Sequence, residues 1–148
     1  MANKVGFIKH KTAKEIEDLY NFNVEVFSDG VDFSWSLDNL KEQSASGWSL
    51  YAAKVDKEII AVLFAKEESA ELVTKHTPIK LEFRGNGYSH QIKDFFEELA
   101  KDESIKTIKN ICRGDDFRMI SLNETHDYKK TGKVFEGGKL VEWQKHLK

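Results

Sequence analysis

A short segment with two glycines, Arg84-Gly85-Asn86-Gly87-Tyr88-Ser89, has the residue types that can bind phosphate. It stands between a predicted strand over 72–81 and a predicted amphipathic helix. The first turn of a helix leaves backbone N–H groups unpaired, and the helix dipole adds partial positive charge, so this junction can hold an anion. Glycines let the backbone approach a phosphate closely, and Arg84 can add a charged fork. A tight turn fits the same residues, so both interpretations stay open at this point.

Two better-known phosphate motifs do not fit the segment. The dinucleotide-binding fingerprint requires a third glycine, which Gly85-x-Gly87-x-x-His90 lacks. A P-loop ends in Gly-Lys-Ser or Gly-Lys-Thr, and the sequence contains neither tripeptide.

Several titratable residues near this segment could take part in chemistry, and each has a simpler interpretation. His76, late in the predicted strand, could be a general base, or it could be an exposed or structurally bonded histidine. His90 could touch a phosphate or face solvent. Cys112 is best interpreted as a small buried apolar residue. The pair Lys129-Lys130 could meet adenosine phosphates or be a solvated pair on a strand edge.

Hydrophobic patterning predicts an alternating chain with the order β-α-α-β-β-β-α-β-α-β-β. The predicted strands cover 5–8, 48–55, 59–65, 72–81, 107–112, 128–135 and 139–143. The helix after the glycine segment has Ile92, Phe95, Phe96 and Leu99 on one face. Pro78 has no N–H to donate, so we expect an irregularity within 72–81. The expected fold is one α/β (α+β) domain over 1–148.

Composition limits the classes of partner. The chain has 148 residues and a formal charge of −2, which argues against wrapping nucleic acid. It contains no run approaching the roughly 18 apolar residues of a membrane span, and no signal-peptide pattern follows Met1. We expect a cytoplasmic protein without membrane, nucleic-acid or metal partners. The apolar alternate face of the last predicted strand could pair across a homodimer.

The glycine segment resembles the acyl-coenzyme A loop of the GNAT acyltransferase superfamily. That loop follows the fourth strand with the pattern Arg/Gln-x-x-Gly-x-Gly/Ala, which Arg84 and Gly87 match while Ser89 replaces the last small residue. Further on, Asp116-x-x-Met119-x-x-x-Asn123 is similar to a signature of the family's last helix, where asparagine usually fills the place of Asp116. The element order over the whole chain also agrees with that of the family. The resemblance therefore implies a single-domain GNAT-like fold, with a mixed, mostly antiparallel sheet of about seven strands flanked by helices.

The resemblance implies a substrate and a reaction. Backbone N–H groups from Gly85 to Ser89 would hold the pyrophosphate of acetyl-CoA, with Asp116 and Met119 also lining the donor site. The pantetheine arm would pair with backbone near Ile79 and Leu81, like an extra strand. A backbone N–H there would stabilise the oxyanion as an amine attacks directly, without a covalent enzyme intermediate.

Departures from the family pattern bear on catalysis. Many members have a tyrosine as general acid at the position of Asn123, and an amide cannot supply that proton. It could still hydrogen-bond the thiolate or a water, so Asn123 and His76 are the candidate catalytic residues. The segment Glu124-Thr125-His126-Asp127-Tyr128 is similar to the family's helix-to-strand junction, commonly Glu-Lys-Leu-Gly-Phe. Here Asp127 replaces the glycine.

The acceptor site of the family would correspond here to 27–35 and the turn near 135–138. Asp29, Asp32, Phe33 and Trp35 could form an acidic, aromatic mouth for a cationic amine, or the two aromatic residues could be core anchors of a loop. Three functions therefore stay open: an N-acyltransferase, a degenerate member that binds CoA or a partner without turnover, and an unrelated α/β phosphate-binding module.

Overall fold

A computed structural model of the chain describes residues 4–10, 14–15, 17–18, 21, 41–42, 45–76 and 79–147. Within these residues the chain forms seven strands: β1 (Gly6–His10), β2 (Ser49–Val55), β3 (Glu58–Glu68), β4 (Glu71–His76), β5 (Thr107–Arg113), β6 (Lys129–Phe135) and β7 (Leu140–His146). The two helices with complete bounds are α1 (Tyr88–Asp102) and α2 (Phe117–Thr125). Helical conformation is also present at 14–15, 17–18, 21, 41–42 and 45. None of the described helices has the length and apolar composition to cross a bilayer.

The strands follow the order β1-β2-β3-β4-β5-β7-β6 in one sheet. Three pairs, β1 with β2, β5 with β7 and β6 with β7, are antiparallel, whereas β4 and β5 are parallel. This arrangement confirms the predicted mixed, mostly antiparallel sheet of about seven strands.

The described residues group into two compact units, and the first comprises residues up to Phe64 together with His76–Tyr88. Its core is built by β2 and the first part of β3, whose buried runs leave few exposed positions. The sequence of a strand that is covered on both faces is continuously apolar, as it is at 60–64. The ring of Trp48 packs edge-on against Phe64, with 6.4 Å between centroids.

The second unit comprises Ala65–Lys75 and the chain from Ser89 onward. The side chains that α1 buries completely are those of Ile92, Lys93, Phe96 and Ala100. The predicted face was therefore partly wrong, because Phe95 and Leu99 are only half-buried. The expectation of a single domain over 1–148 stays a prediction.

The largest error of the strand predictions concerns the end of β4. The strand ends at His76, residues 77–78 with the predicted irregularity at Pro78 lie outside the described residues, and Leu81 belongs to a 3₁₀ helix at Leu81–Phe83. The physical reason is the hydrogen bonding of the Lys80 and Phe83 backbone. The Lys80 N–H donates to the Ile60 carbonyl (2.8 Å), and the Phe83 N–H donates to the Lys80 carbonyl (2.9 Å), which closes the turn.

Candidate functional site

The glycine segment forms a loop between the 3₁₀ turn and α1. Gly85 and Gly87 have φ angles of 84° and 78°, in the left-handed region that other residues rarely adopt. A Cβ added to either glycine would meet no heavy atom within 4 Å, so the loop backbone faces open space. Between them, the Asn86 side-chain amide donates to the Phe83 carbonyl (3.1 Å). The glycines thus leave the backbone of the loop accessible to a ligand.

Two side chains hold this loop in place. Arg84 donates from Nε to the Ile79 carbonyl at 2.7 Å, so at least this guanidinium N–H closes the loop on itself. Tyr88, the first residue of α1, is buried and its ring lies 6.4 Å from that of Phe83, between centroids. Only the backbone of Tyr88 could therefore contribute to an anion site, as the sequence analysis expects.

The start of α1 supplies the electrostatics that phosphate requires. The helix runs from Tyr88 for 15 residues and has no acidic side chain in its first turn. Its first N–H groups have no partner within an α-helix, and they carry the positive end of the helix dipole. Such a helix start can hold an anion, and pyrophosphate binding at 84–89 stays a prediction.

Asp116 and Met119, both predicted to line the donor site, lie at the beginning of α2. Asp116 is the N-cap residue, and its Oδ1 accepts a hydrogen bond from the Met119 N–H at 3.1 Å. The Met119 side chain is buried. The aspartate for asparagine replacement thus retains a good helix cap, since both residues are preferred at that position.

Asn123, the predicted catalytic amide, is completely buried within the second unit. Its Oδ1 accepts from Lys93 Nζ at 2.6 Å, and its Nδ2 donates to Asn110 Oδ1 at 3.1 Å and lies 3.9 Å from Cys112 Sγ. The amide is thus a member of a hydrogen-bonded cluster. Its oxygen and one of its N–H groups are engaged by other buried side chains.

Lys93 is the member of this cluster that sequence reasoning missed. It is 0% exposed, and its ammonium lies 4.2 Å from the centroid of the Tyr128 ring, a cation–π distance. Among the described residues, no carboxylate forms an ion pair with it. Burial lowers the pKa of Lys93 from 10.5 to about 7. Its spacing of three residues before Phe96 and seven before Ala100 was the signal that it lies on the buried face.

The neighbouring thiol and phenol are also shifted by burial. Burial raises the pKa of Cys112 to about 11, so the thiol stays protonated near neutral pH. Burial likewise raises the pKa of Tyr128, whose hydroxyl has no hydrogen-bond partner among the described residues. Neither group is therefore an anionic partner for Lys93.

The end of α2 explains how an aspartate replaces the glycine of the family's junction. The Tyr128 N–H donates to the Asn123 carbonyl (2.9 Å) and the Asp127 N–H donates to the Glu124 carbonyl (3.1 Å), which is the Schellman pattern. Asp127 has a φ of 64°, the left-handed conformation that this motif requires. The local backbone of the junction is thus the one a glycine would adopt.

A histidine pair lies beside these elements. His90 Nδ1 and His126 Nε2 are 2.8 Å apart, and the rings stack with centroids 5.0 Å apart. Burial lowers the pKa of His126, and His90 lowers it further. A hydrogen bond between the two rings needs a donor nitrogen on one and an acceptor nitrogen on the other. His90 is therefore an exposed residue that is also bonded to another side chain.

The remaining predicted site residues are placed as follows. His76 is the last residue of β4 and is buried, Ile79 is buried, and Leu81 begins the 3₁₀ turn. The acceptor-site residues Asp29, Asp32, Phe33 and Trp35 lie outside the described residues. No group of three or more histidine, cysteine, aspartate or glutamate side chains suited to a metal ion occurs in the described part of the chain.

Comparison with known proteins identifies the fold. No protein-family model matches the sequence, and no curated sequence matches it. Among solved structures, AAC(6')-Ib in complex with parmomycin and acetyl-CoA has a TM-score of 0.76 at 15% identity, over 97% of this chain and 94% of that one. The ribosomal-protein-S18-alanine N-acetyltransferase of Escherichia coli has a TM-score of 0.74 at 9% identity, over 97% and 94%. An acetyltransferase of the GNAT family from Staphylococcus aureus Mu50 has a TM-score of 0.73 at 10% identity, over 97% and 99%.

Proposed function

We propose that this chain, which has the fold of the GNAT N-acetyltransferases, transfers an acetyl or other short acyl group from coenzyme A to a primary amine. The observation that carries the proposal is the loop at Gly85 and Gly87, which have positive φ angles, face open space and lead directly into α1. Backbone N–H groups at such a junction match a pyrophosphate, which is part of the coenzyme A moiety that all acyl-CoA donors share. One similar solved structure is a complex with acetyl-CoA, which supports the choice of donor.

In this proposal the donor extends from the loop along the backbone at Ile79 and Leu81. The hydrogen bond from Arg84 to Ile79 holds that backbone at a fixed distance from the loop, so both ends of the donor would meet preorganised groups. Asp116 and Met119 stay predicted donor-site residues; Asp116 accepts the N-cap hydrogen bond of α2 and the Met119 side chain is buried.

The proposed reaction is direct aminolysis of the thioester. A base takes a proton from the substrate ammonium, the amine nitrogen bonds to the acyl carbon, and the carbon–sulfur bond breaks to release a thiolate that takes up a proton. His76 is the candidate base because imidazole titrates near neutral pH. Asn123 belongs in the proposal as a hydrogen-bonding residue and not as the acid. A cationic amine is the expected acceptor on the basis of Asp29, Asp32, Phe33 and Trp35 in the sequence.

The first experiment measures acetyl-CoA binding by thermal shift and calorimetry in the wild type, Gly87→Val and Gly132→Val. Valine at either glycine meets the same penalty of roughly 1–2 kcal/mol for a left-handed backbone, since Gly132 also has a positive φ and open space. Only Gly87→Val places methyl groups in the proposed pyrophosphate site. We expect it to lower acetyl-CoA affinity by about two orders of magnitude, or about 2.7 kcal/mol, while Gly132→Val retains wild-type affinity.

Two results would count against the donor assignment. One is a folded wild type that acetyl-CoA does not stabilise, because a ligand at about 100 times its Kd adds about 2.7 kcal/mol to the native state. The other is equal affinity in Gly87→Val and Gly132→Val, which would remove the loop from the site.

A second candidate function is binding of CoA without turnover. It is favoured by one observation: the position that often holds the acid in the family is Asn123, a buried amide bonded to Lys93 and Asn110. A thiol-release assay with acetyl-CoA and a panel of primary amines distinguishes the two functions. Acetyl-CoA binding without thiol release for any amine would select the second candidate.

A further inference from the structure

A directed chain of hydrogen bonds crosses the interior of the second unit. Lys93 Nζ donates to Asn123 Oδ1 at 2.6 Å, Asn123 Nδ2 donates to Asn110 Oδ1 at 3.1 Å, and Asn110 Nδ2 lies 3.5 Å from the Thr74 carbonyl. All four residues are 0% exposed. Each member donates toward β4, so an amine on α1 is linked through two amides to a backbone carbonyl of the sheet.

This chain of hydrogen bonds ends where the parallel strands β4 and β5 stop pairing. The register of β4 with β5 covers Leu72 with Ile108, Val73 with Lys109, and Thr74 with Asn110. Beyond that pair, β4 continues to His76 and β5 continues to Arg113. Thr74 also donates from its hydroxyl to the Lys109 carbonyl at 2.7 Å. Polar side chains therefore secure the last paired residues before the strands separate.

A gain in stability does not explain why a lysine begins this chain of hydrogen bonds. Transfer of a cation into a protein interior without a carboxylate partner is costly, and an apolar side chain of similar length would avoid that cost. The groups that act on the ammonium from neighbouring elements are the protonated thiol of Cys112 on β5, the Tyr128 ring before β6, the His126 imidazole after α2, and Lys145 on β7 with its ion-pair partner Glu97. None of them supplies a free negative charge.

We propose that Lys93 is a positioning residue for acyl transfer, because it fixes the Asn123 amide and, through Asn110, the last paired residues of β4, the strand that leads into the segment at Ile79 and Leu81 proposed for the acyl donor. This inference rests on the proposed function. A protonated amine orients the Asn123 carbonyl oxygen strongly, and it does so less strongly once the amine loses its charge. The geometry at the end of the pairing therefore depends on the protonation of Lys93.

The first test measures the side-chain amide signals of Asn123 and Asn110 by NMR between about pH 6 and pH 9. In the wild type both signals shift with a midpoint near pH 7, the pKa of Lys93. In Lys93→Met neither signal shows that transition. Lys106→Met removes an exposed lysine instead and retains the wild-type titration. An identical titration in Lys93→Met would overturn the link between Lys93 and the amides.

The second test measures affinity for two probes, acetyl-CoA and adenosine 3′,5′-bisphosphate, which has the nucleotide end of the donor without the pantetheine arm. We expect Lys93→Met to lower the affinity for acetyl-CoA about tenfold near pH 6, where the lysine of the wild type is charged. The affinity for the bisphosphate should change less than about twofold. The difference in acetyl-CoA affinity between the wild type and Lys93→Met should become smaller as the pH rises above 7. If Lys93 only stabilised the fold, Lys93→Met would change the affinity for both probes equally or for neither.

The outcomes separate the two proposals. A wild type that does not bind acetyl-CoA overturns both. A wild type that binds it, together with a Lys93→Met variant of equal affinity at every pH, overturns the role of Lys93 and leaves the proposed function intact. Should Lys93→Met fail to fold, Lys93→Gln takes its place, because its amide donates to Asn123 without a charge and should also lose the titration.

Discussion

The buried Lys93 predicts an unusual dependence of stability on pH. In the unfolded chain the lysine has a pKa of 10.5, whereas burial lowers it to about 7 in the fold. Between these values the unfolded chain binds the proton and the folded chain does not, so the free energy of unfolding rises with pH. The destabilisation is full below about pH 7 and is lost as the pH approaches 10.5.

The magnitude follows from the two pKa values. Their difference corresponds to about 5 kcal/mol at about 1.4 kcal/mol per pKa unit, and about 3 kcal/mol of it is recovered between about pH 6 and pH 9. Lys93→Met lacks this contribution at every pH. It leaves the Asn123 oxygen without its donor, which costs a constant amount of about 1–3 kcal/mol that does not change the slope.

Urea denaturation of the wild type, Lys93→Met and Lys106→Met at several pH values measures the effect, because titratable groups that Lys93 does not influence contribute equally in all three proteins. The stability of the wild type relative to Lys93→Met should increase by about 3 kcal/mol over that range, and relative to Lys106→Met it should stay constant. Parallel curves for the wild type and Lys93→Met would refute the reasoning. They would mean that Lys93 keeps an ordinary pKa in the fold.

Three further changes follow from the backbone geometry. Asp127→Gly should raise the free energy of unfolding by about 1 kcal/mol, because the left-handed φ of 64° suits glycine, whereas Asp94→Gly within α1 should lower it by a few tenths of a kcal/mol; equal effects in urea denaturation would contradict this. Ala70→Gly should stabilise the β3–β4 turn by about 1 kcal/mol because Ala70 has a φ of 63°, and Ala70→Val should destabilise it; a loss of stability in Ala70→Gly would be inconsistent with that strain. Arg84→Lys removes the planar donor to Ile79 and should lower stability by about 1 kcal/mol, with weaker acetyl-CoA binding by calorimetry; an unchanged melting temperature would argue against the contact.

Local rules explain why the order of elements could be predicted from the sequence. Apolar periodicity and turn residues act over a few neighbouring positions, and the burial of 60–64 reproduces the unbroken apolar run of the sequence. The glycines at 85 and 87 were recognised for the same reason, since a left-handed backbone next to a helix is a local requirement. The end of β4 was missed because it depends on the hydrogen bond from Lys80 to Ile60, which joins distant parts of the chain.

The residue pattern by itself therefore predicted the order of the elements and a glycine loop before α1, and it left both a tight turn and a phosphate site open for that loop. The family resemblance added the mixed sheet and the proposed acyl-CoA ligand. Only the tertiary structure decided what Asn123 does, because its partners Lys93 and Asn110 are 30 and 13 residues away. The hydrophobic periodicity of the sequence does not indicate that the Lys93 amine and the amides of Asn123 and Asn110 lie together in the interior of the second unit. A lysine on a helix is usually solvated, and the low dielectric environment that makes Lys93 exceptional exists only after helices and strands pack around it.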